Sequence, residues 1–300
     1  MTTKKEHLIT TSIPLIGVTG STGELGGRVA TRLATLGQPQ RLLVRNLARA
    51  PQLPGAEIIQ ASYEDGPSMR AALSGVQTLF LVSGYGYNRL EQHYSAIDAA
   101  LAAGVERIVY TSFLAAAPLA TFTHAREHYF TEQRIRASGC RYTFLRPTFY
   151  LDRAPLWFSK DGVIQGPAGN GTITWVSRDD LADVAVAVLT TNGHNGASYE
   201  ITGSHALTLA GAAEEFSRTT GIPASYQPET LEEARASRAK FNPSDWELEA
   251  WVSTYVAIAT GEMSIVSHTV QALTGHAPQT LADYLHKHPE SYQHITATRR

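Results

Sequence analysis

The feature that most constrains this chain is an alternation. Between residues 13 and 146, six short apolar runs exchange places with longer stretches whose apolar side chains return every three or four positions. The runs are 13–18 (IPLIGV), 41–45 (RLLVR), 57–60 (EIIQ), 78–82 (TLFLV), 106–112 (ERIVYTS) and 142–146 (YTFLR). After the first, Leu25, Val29, Leu33 and Leu36 recur at helical spacing and Gly37 offers a C-cap. Asp65-Gly66-Pro67 opens a helix over 67–73, with Gly75 beyond it. Leu90, Tyr94, Ile97 and Leu101 mark one face of a helix over 89–103 that ends at Gly104, and a further helix over 124–138 stops at Gly139. The strand runs are mostly continuous rather than alternating, as strands are when helices cover both faces of their sheet. Strand and helix in this order predict an α/β fold, a doubly wound parallel sheet of the Rossmann type.

After Pro147 the rhythm changes. Residues 151–175 are rich in glycine and loop-like, closing on a strand-like Thr172-Ile173-Thr174-Trp175. Ser177 to Asp180 reads as a capping box for a helix over 179–190, and Tyr199-Glu200-Ile201 as a last strand. Helical patterns follow over 208–220, 229–240, 244–260, 264–274 and 280–287. The expected layout is a dinucleotide-binding domain over 13–150, with 177–201 packing back on it. A smaller, mostly helical lobe is expected from 151–176 and 202–295.

Composition narrows the function. The net charge of −2 and the lack of a basic block argue against a nucleic-acid surface. No apolar run approaches the roughly 20 residues that span a bilayer. The polar start, Met1 to His7, shows no signal segment, so a cytoplasmic protein is expected. A single cysteine, Cys140, excludes an internal disulfide framework and a multi-cysteine zinc site. His276, His286, His288 and His294 lack carboxylates in a ligand pattern, so no metal is expected. A charged fraction of 17%, against roughly 25% in an average domain, leaves room for an apolar dimer face: monomer or homodimer.

The turn Gly20-Ser21-Thr22-Gly23-Glu24-Leu25-Gly26 lies between the first strand and the first helix, the context in which a glycine-rich motif carries meaning. Glycines let the backbone approach a pyrophosphate, and the helix N-terminus supplies free N–H groups and partial positive charge. NAD-binding chains place Asp or Glu at the end of the second strand. Here that position reads Val44-Arg45-Asn46, and Arg45 suits a 2′-phosphate. NADPH is therefore expected over NADH. Asp65 fits two roles, a contact to the adenine amino group or a helix N-cap. Val82-Ser83-Gly84-Tyr85-Gly86-Tyr87, after the fourth strand, is expected to pass beside the cofactor at the carboxyl edge of the sheet, with Ser83 as a cofactor contact.

With these residues placed, the chain resembles the atypical short-chain dehydrogenase/reductases of the NmrA-like group, and within it the NAD(P)H:quinone oxidoreductase and triphenylmethane reductase branches. The resemblance rests on Val18 to Gly26, Ala99 to Val105 leading into Ile108-Val109-Tyr110-Thr111-Ser112, and His128-x-x-Thr131-Glu132. It continues through Tyr142 to Pro147, Arg178 to Asp183 and Leu273 to Pro278. That group lacks the Tyr-x-x-x-Lys proton relay, and so does this chain. An ordinary ketone needs a strong proton donor for its developing alkoxide. A quinone accepts hydride to give a delocalised anion, so a weaker donor suffices.

The resemblance implies that His128 lies near the nicotinamide, where it would hydrogen-bond the ribose, donate a proton or orient the acceptor. His124, one turn earlier, would offer a second imidazole. Ser112 stands where the superfamily carries its catalytic Ser or Thr, as a cofactor contact or a strand-end turn residue. Pro147 and the residues after it would run past the nicotinamide. Tyr85, Phe149, Tyr150 and Trp157 are candidates for a flat acceptor to stack on, or core aromatics. The expected function is an NADPH-dependent oxidoreductase passing hydride directly to a quinone or another conjugated planar acceptor. The alternative is a non-catalytic NADP(H)-binding redox sensor or co-regulator.

Overall fold

A computed structural model describes residues 13–296. The polar start read above against a signal segment lies outside them. The sequence alternation becomes β1 (Ile16–Thr19), α1 (Glu24–Thr35), β2 (Gln40–Val44), β3 (Ala56–Gln60), α2 (Gly66–Ala72), β4 (Thr78–Leu81), α3 (Arg89–Ala102), β5 (Arg107–Thr111), α4 (Thr123–Ala137) and β6 (Arg141–Pro147). Then come β7 (Val163–Gly166), β8 (Thr172–Ile173), α5 (Arg178–Thr190) and β9 (Ser198–Ile201). The last third holds β10 (Leu207–Thr208), α6 (Leu209–Thr220), β11 (Ser225–Pro228), α7 (Leu231–Ala239), α8 (Asp245–Ala259), α9 (Thr269–Thr274) and α10 (Leu281–Lys287).

Seven strands form one parallel sheet in the order β3-β2-β1-β4-β5-β6-β9. β1 is central, with Ile16 opposite both Gln40 of β2 and Thr78 of β4. From β1 the chain winds outward to β3, then crosses back to begin the other half at β4. This reversal opens a crevice at the carboxyl ends of β1 and β4, the position where open α/β sheets bind ligands. Strand side chains alternate between the two faces. Val18, Leu42, Phe80 and Val109 pack under Val29, Leu33, Val184 and Val188 of α1 and α5. Leu43, Leu79, Ile108 and Phe144 point the other way, against Met69, Ile97, Ala100 and Ile135 of α2, α3 and α4.

The buried face of α3 differs from the one its sequence predicts. Ile97 is buried, but the face runs through Arg89, His93, Ala96 and Ala100, whereas Leu90 and Leu101 remain half-exposed. Two polar side chains take the core positions because α4 and β5 supply their partners. The helix expected over 264–274 is shorter, Thr269–Thr274.

The remaining elements share a second core, in which Phe158, Ile164, Trp175, Phe216 and Ile258 meet Phe113 and Phe122 from the sheet's carboxyl edge. Two small strand pairs hold it, β7 parallel to β11 and β8 antiparallel to β10. β7, β10 and β11 escape sequence reading because strands of two to four half-polar residues carry no periodicity. Gly166 is where α8 closes on β7: a Cβ there would lie 2.2 Å from the Tyr255 ring. Among the described residues, no helix is long and apolar enough to cross a membrane.

Candidate active site

The glycine turn is built by backbone approach. Gly20 takes φ +64°, its carbonyl accepts the Gly23 amide at 2.9 Å, and a Cβ on Gly26 would sit 2.3 Å from that same oxygen. A side chain at Gly26 is thus excluded, and α1 seats directly on the turn. α1 starts at Gly23 without a side-chain cap, whereas α2 is capped by Asp65, whose Oδ1 accepts the Ser68 amide at 3.0 Å. Asp65 takes the capping role of its two, and it does not line the cleft.

That cleft, about 450 Å³, is walled by Gly20 and Thr22–Gly26, by Arg45, by 61–64 and by Ser83–Tyr85. Arg45 is exposed at its rim, at the end of β2. Asn46 beside it is spent on capping a short turn, accepting the Ala48 amide at 2.9 Å. Glu64, the carboxylate on the opposite wall, is bonded by Gln92 Nε2 at 2.8 Å. Ser21 is buried, and its Oγ has no partner. At the floor, Tyr63 Oη lies 2.6 Å from Thr19 Oγ1 and 2.7 Å from the Val82 carbonyl, tying β1 to β4 at the switch point. Uncapped α1 amides, the three glycines of the turn and a rim arginine fit a dinucleotide bearing a 2′-phosphate, whereas Ser21 is not among the residues that line the cleft. Sequence reasoning missed Tyr63, Ser62 and Gln92, which lie outside any motif.

His128 lies on the buried side of α4. Tyr110 Oη is 2.8 Å from its Nδ1, and Phe113 stacks on the ring with centroids 6.0 Å apart. Burial first, then the charge of Arg89 and the nearby His93 and His124, holds the imidazole well below the ordinary histidine range. It is neutral at physiological pH, which rules out an imidazolium acid. His124, one turn earlier on α4, packs its ring on Phe122 at 5.2 Å and Trp246 at 5.0 Å.

The rest of the His-x-x-Thr-Glu motif is internal. Glu132 is fully buried and accepts two bonds from Arg146, Nε at 2.8 Å and Nη2 at 2.6 Å. The Ser112 hydroxyl donates to the same carboxylate at 2.6 Å, so it serves the sheet edge and not the cleft. The Pro147 carbonyl is taken by the Leu114 amide at 2.8 Å, and Pro147 lines neither the cleft nor the aromatic cavity described next. Tyr150 is covered by the Arg178 guanidinium, 4.2 Å above its ring, and packs into the sheet core, leaving no open face for an acceptor. Phe149 and Trp157, in contrast, line a second cavity of about 620 Å³ with Phe241, Trp251 and Tyr255. Ring contacts connect that cavity to His128 through Phe149 and Phe113, whose centroids are 5.0 Å apart. Tyr85 is exposed and meets Trp246 of α8 edge-on at 5.9 Å, bridging the two halves of the molecule. Trp246, Trp251 and Tyr255 gave no sequence signal, because α8 meets this site only in the folded chain.

The model of the NmrA-like family matches residues 13–241. The chain belongs to the NmrA-like family. Within it, this NmrA-like chain is 34% identical over 284 residues to (4-alkanoyl-5-oxo-2,5-dihydrofuran-3-yl)methyl phosphate reductase of Streptomyces griseus, covering 93% of this chain and 99% of that one. The crystal structure of the NADPH-dependent quinone oxidoreductase of Escherichia coli complexed with NADPH superposes with a TM-score of 0.84 at 33% identity, covering 91% of this chain and 99% of that one. Triphenylmethane reductase of Citrobacter sp., complexed with NADP(H), gives 0.81 at 30% identity, with 91% and 99% covered.

Proposed function

We propose that this chain reduces a quinone or another conjugated planar acceptor by direct hydride transfer from NADPH, in the cytoplasm. That it is an NADPH-dependent oxidoreductase carries over from relatives that are named reductases and solved with that cofactor, at 30% identity or more over most of the chain. The observation that carries the finer reading is the buried His128, its pKa held low, joined to an aromatic cavity through Phe113, which stacks on it, and Phe149, which meets Phe113 edge-on. Such a site offers a flat π surface and a hydrogen-bond donor but no strong acid, which suits an acceptor whose reduced anion is already delocalised.

The bound cofactor supplies a hydride. Gly20 to Gly26 and the first amides of α1 would hold its pyrophosphate. Arg45 pairs with the 2′-phosphate, a charge-assisted contact. The backbone from Ser83 to Tyr85 closes one side. Phe149 and Trp157 present the stacking surface, and His128 orients the acceptor oxygen.

The test is NADPH oxidation followed with and without substituted benzoquinones. Acceleration on adding quinone is the expected result. Tight NADPH binding without oxidation by any benzoquinone or azo acceptor would overturn this reading in favour of a non-catalytic redox sensor.

A further inference from the structure

A buried chain of hydrogen bonds runs from the cofactor cleft to His128 through residues outside the glycine turn. The Gly84 amide, in the cleft wall, donates to His93 Nε2 at 2.9 Å. His93 is fully buried, and burial, reinforced by Arg89, pushes its pKa down to about 3. A neutral ring that accepts at Nε2 carries its proton on Nδ1. Thr131 Oγ1 lies 3.0 Å from that Nδ1 and donates its own proton to the Glu127 carbonyl at 2.9 Å, so it accepts from His93. Tyr110 Oη lies 3.4 Å from the same protonated nitrogen and cannot donate to it. Thr131 is also within reach of the phenol, but its oxygen already accepts from His93 and donates to the Glu127 carbonyl, so His128 Nδ1, at 2.8 Å, takes the phenol's proton.

We infer that Tyr110, kept in register by His93, fixes His128 in the tautomer with its proton on Nε2, presenting a fixed hydrogen-bond donor to the acceptor. Tyr110 and His93 are positioning residues here. The inference rests on the reading of His128 given above and specifies its chemistry. Nε2 has no hydrogen-bond partner among the described residues and is not one of their fully buried unpaired atoms, so its N–H is open to a ligand atom, although His128 itself lines neither of the two cavities. The chain ends on a peptide amide, which does not exchange protons during turnover, so it orients and does not conduct. The proton that completes the product therefore comes from water. A neutral imidazole acting as donor to a developing oxyanion is a known catalytic device. The charged and titratable groups around His128 are Arg89 and His93 on α3, Tyr110 on β5, and His124 and Glu127 on α4. Glu127 pairs with Arg89, and despite burial its carboxyl stays low because His124 and Arg89 face it.

The experiment is nitrogen NMR of the full chain labelled with ¹⁵N-histidine, with and without NADPH. The His128 signals are assigned by their loss in His128→Gln. Between about pH 6 and 8, His128 is expected with Nε2 protonated and Nδ1 bare. Tyr110→Phe, which removes one oxygen, should redistribute the proton between the nitrogens. It should also lower benzoquinone kcat about tenfold with NADPH affinity unchanged. An Nδ1–H ring or an imidazolium in the wild type overturns the inference without any variant, and so does an unchanged tautomer in Tyr110→Phe. Wild type that fails to reduce quinones sinks the acceptor reading; an Nε2–H signal in that same sample still supports the inference.

Discussion

Arg45 stands at the end of β2 with no carboxylate partner among the described residues, where a charge-assisted pair to a 2′-phosphate is worth about 1.5–3 kcal/mol. Arg45→Ala should weaken NADPH binding about ten- to hundredfold and leave NADH unchanged; titration calorimetry with both cofactors measures it, and equal losses would remove the role. His128→Ala should lower benzoquinone turnover at least about tenfold with the NADPH Kd held, as read from initial rates and cofactor titration. Glu132 is the buried anion that answers Arg146 and Ser112. Glu132→Ala strands the guanidinium and should cost about 3–5 kcal/mol in urea unfolding. Arg45 could be recognised in sequence because its position follows from the strand before it. The internal role of Ser112 could not, since its partner Glu132 is twenty residues away on another element.

Elements show the same division. α1 and its turn were legible because glycine spacing and helical period are local properties of the backbone. The turn is also unforgiving. Gly26→Ala places a methyl 2.3 Å from the Gly20 oxygen, and neither atom is on a flexible side chain. NADPH affinity should fall more than about hundredfold and stability by about 1–3 kcal/mol, checked by calorimetry and thermal unfolding; retained binding would mean that the pyrophosphate sits elsewhere. α3 was misread by one residue, about a quarter of a turn. Its hydrophobic residues suggest one face, but Arg89 pairs with Glu127 and bonds the His124 carbonyl at 2.6 Å, while His93 joins Gly84 and Thr131. Buried polar groups are tolerated once their bonds are made, so partners overrode periodicity.

At the scale of the whole molecule, α1 and α5 are laced by Arg28 and Arg32 to Asp179 and Asp183, and Arg28 reaches Asp152. His276, expected without a nearby carboxylate pattern, lies 3.2 Å from Asp183 and 3.9 Å from Asp180. Its pKa is raised, chiefly by the Ala277 carbonyl it bonds; desolvation opposes this, and Asp183 and Asp180 add to the rise. A raised folded pKa favours the protonated form, so the stabilisation is complete below the ordinary histidine value and disappears as pH rises through the raised one. The Tm advantage of wild type over His276→Gln should therefore be largest below the ordinary histidine value of about 6.5 and shrink as pH rises above it. A pH-independent difference would remove the linkage. The sequence by itself determined the strand–helix alternation, the glycine-lined bend and the want of an acidic residue after β2, because each depends on neighbours within a few positions. Tertiary structure alone decided which aromatic rings face a cavity, that Arg178 covers Tyr150, and that Tyr110 meets His128 at Nδ1. Those depend on burial and on donors brought from distant segments, and no local pattern encodes them.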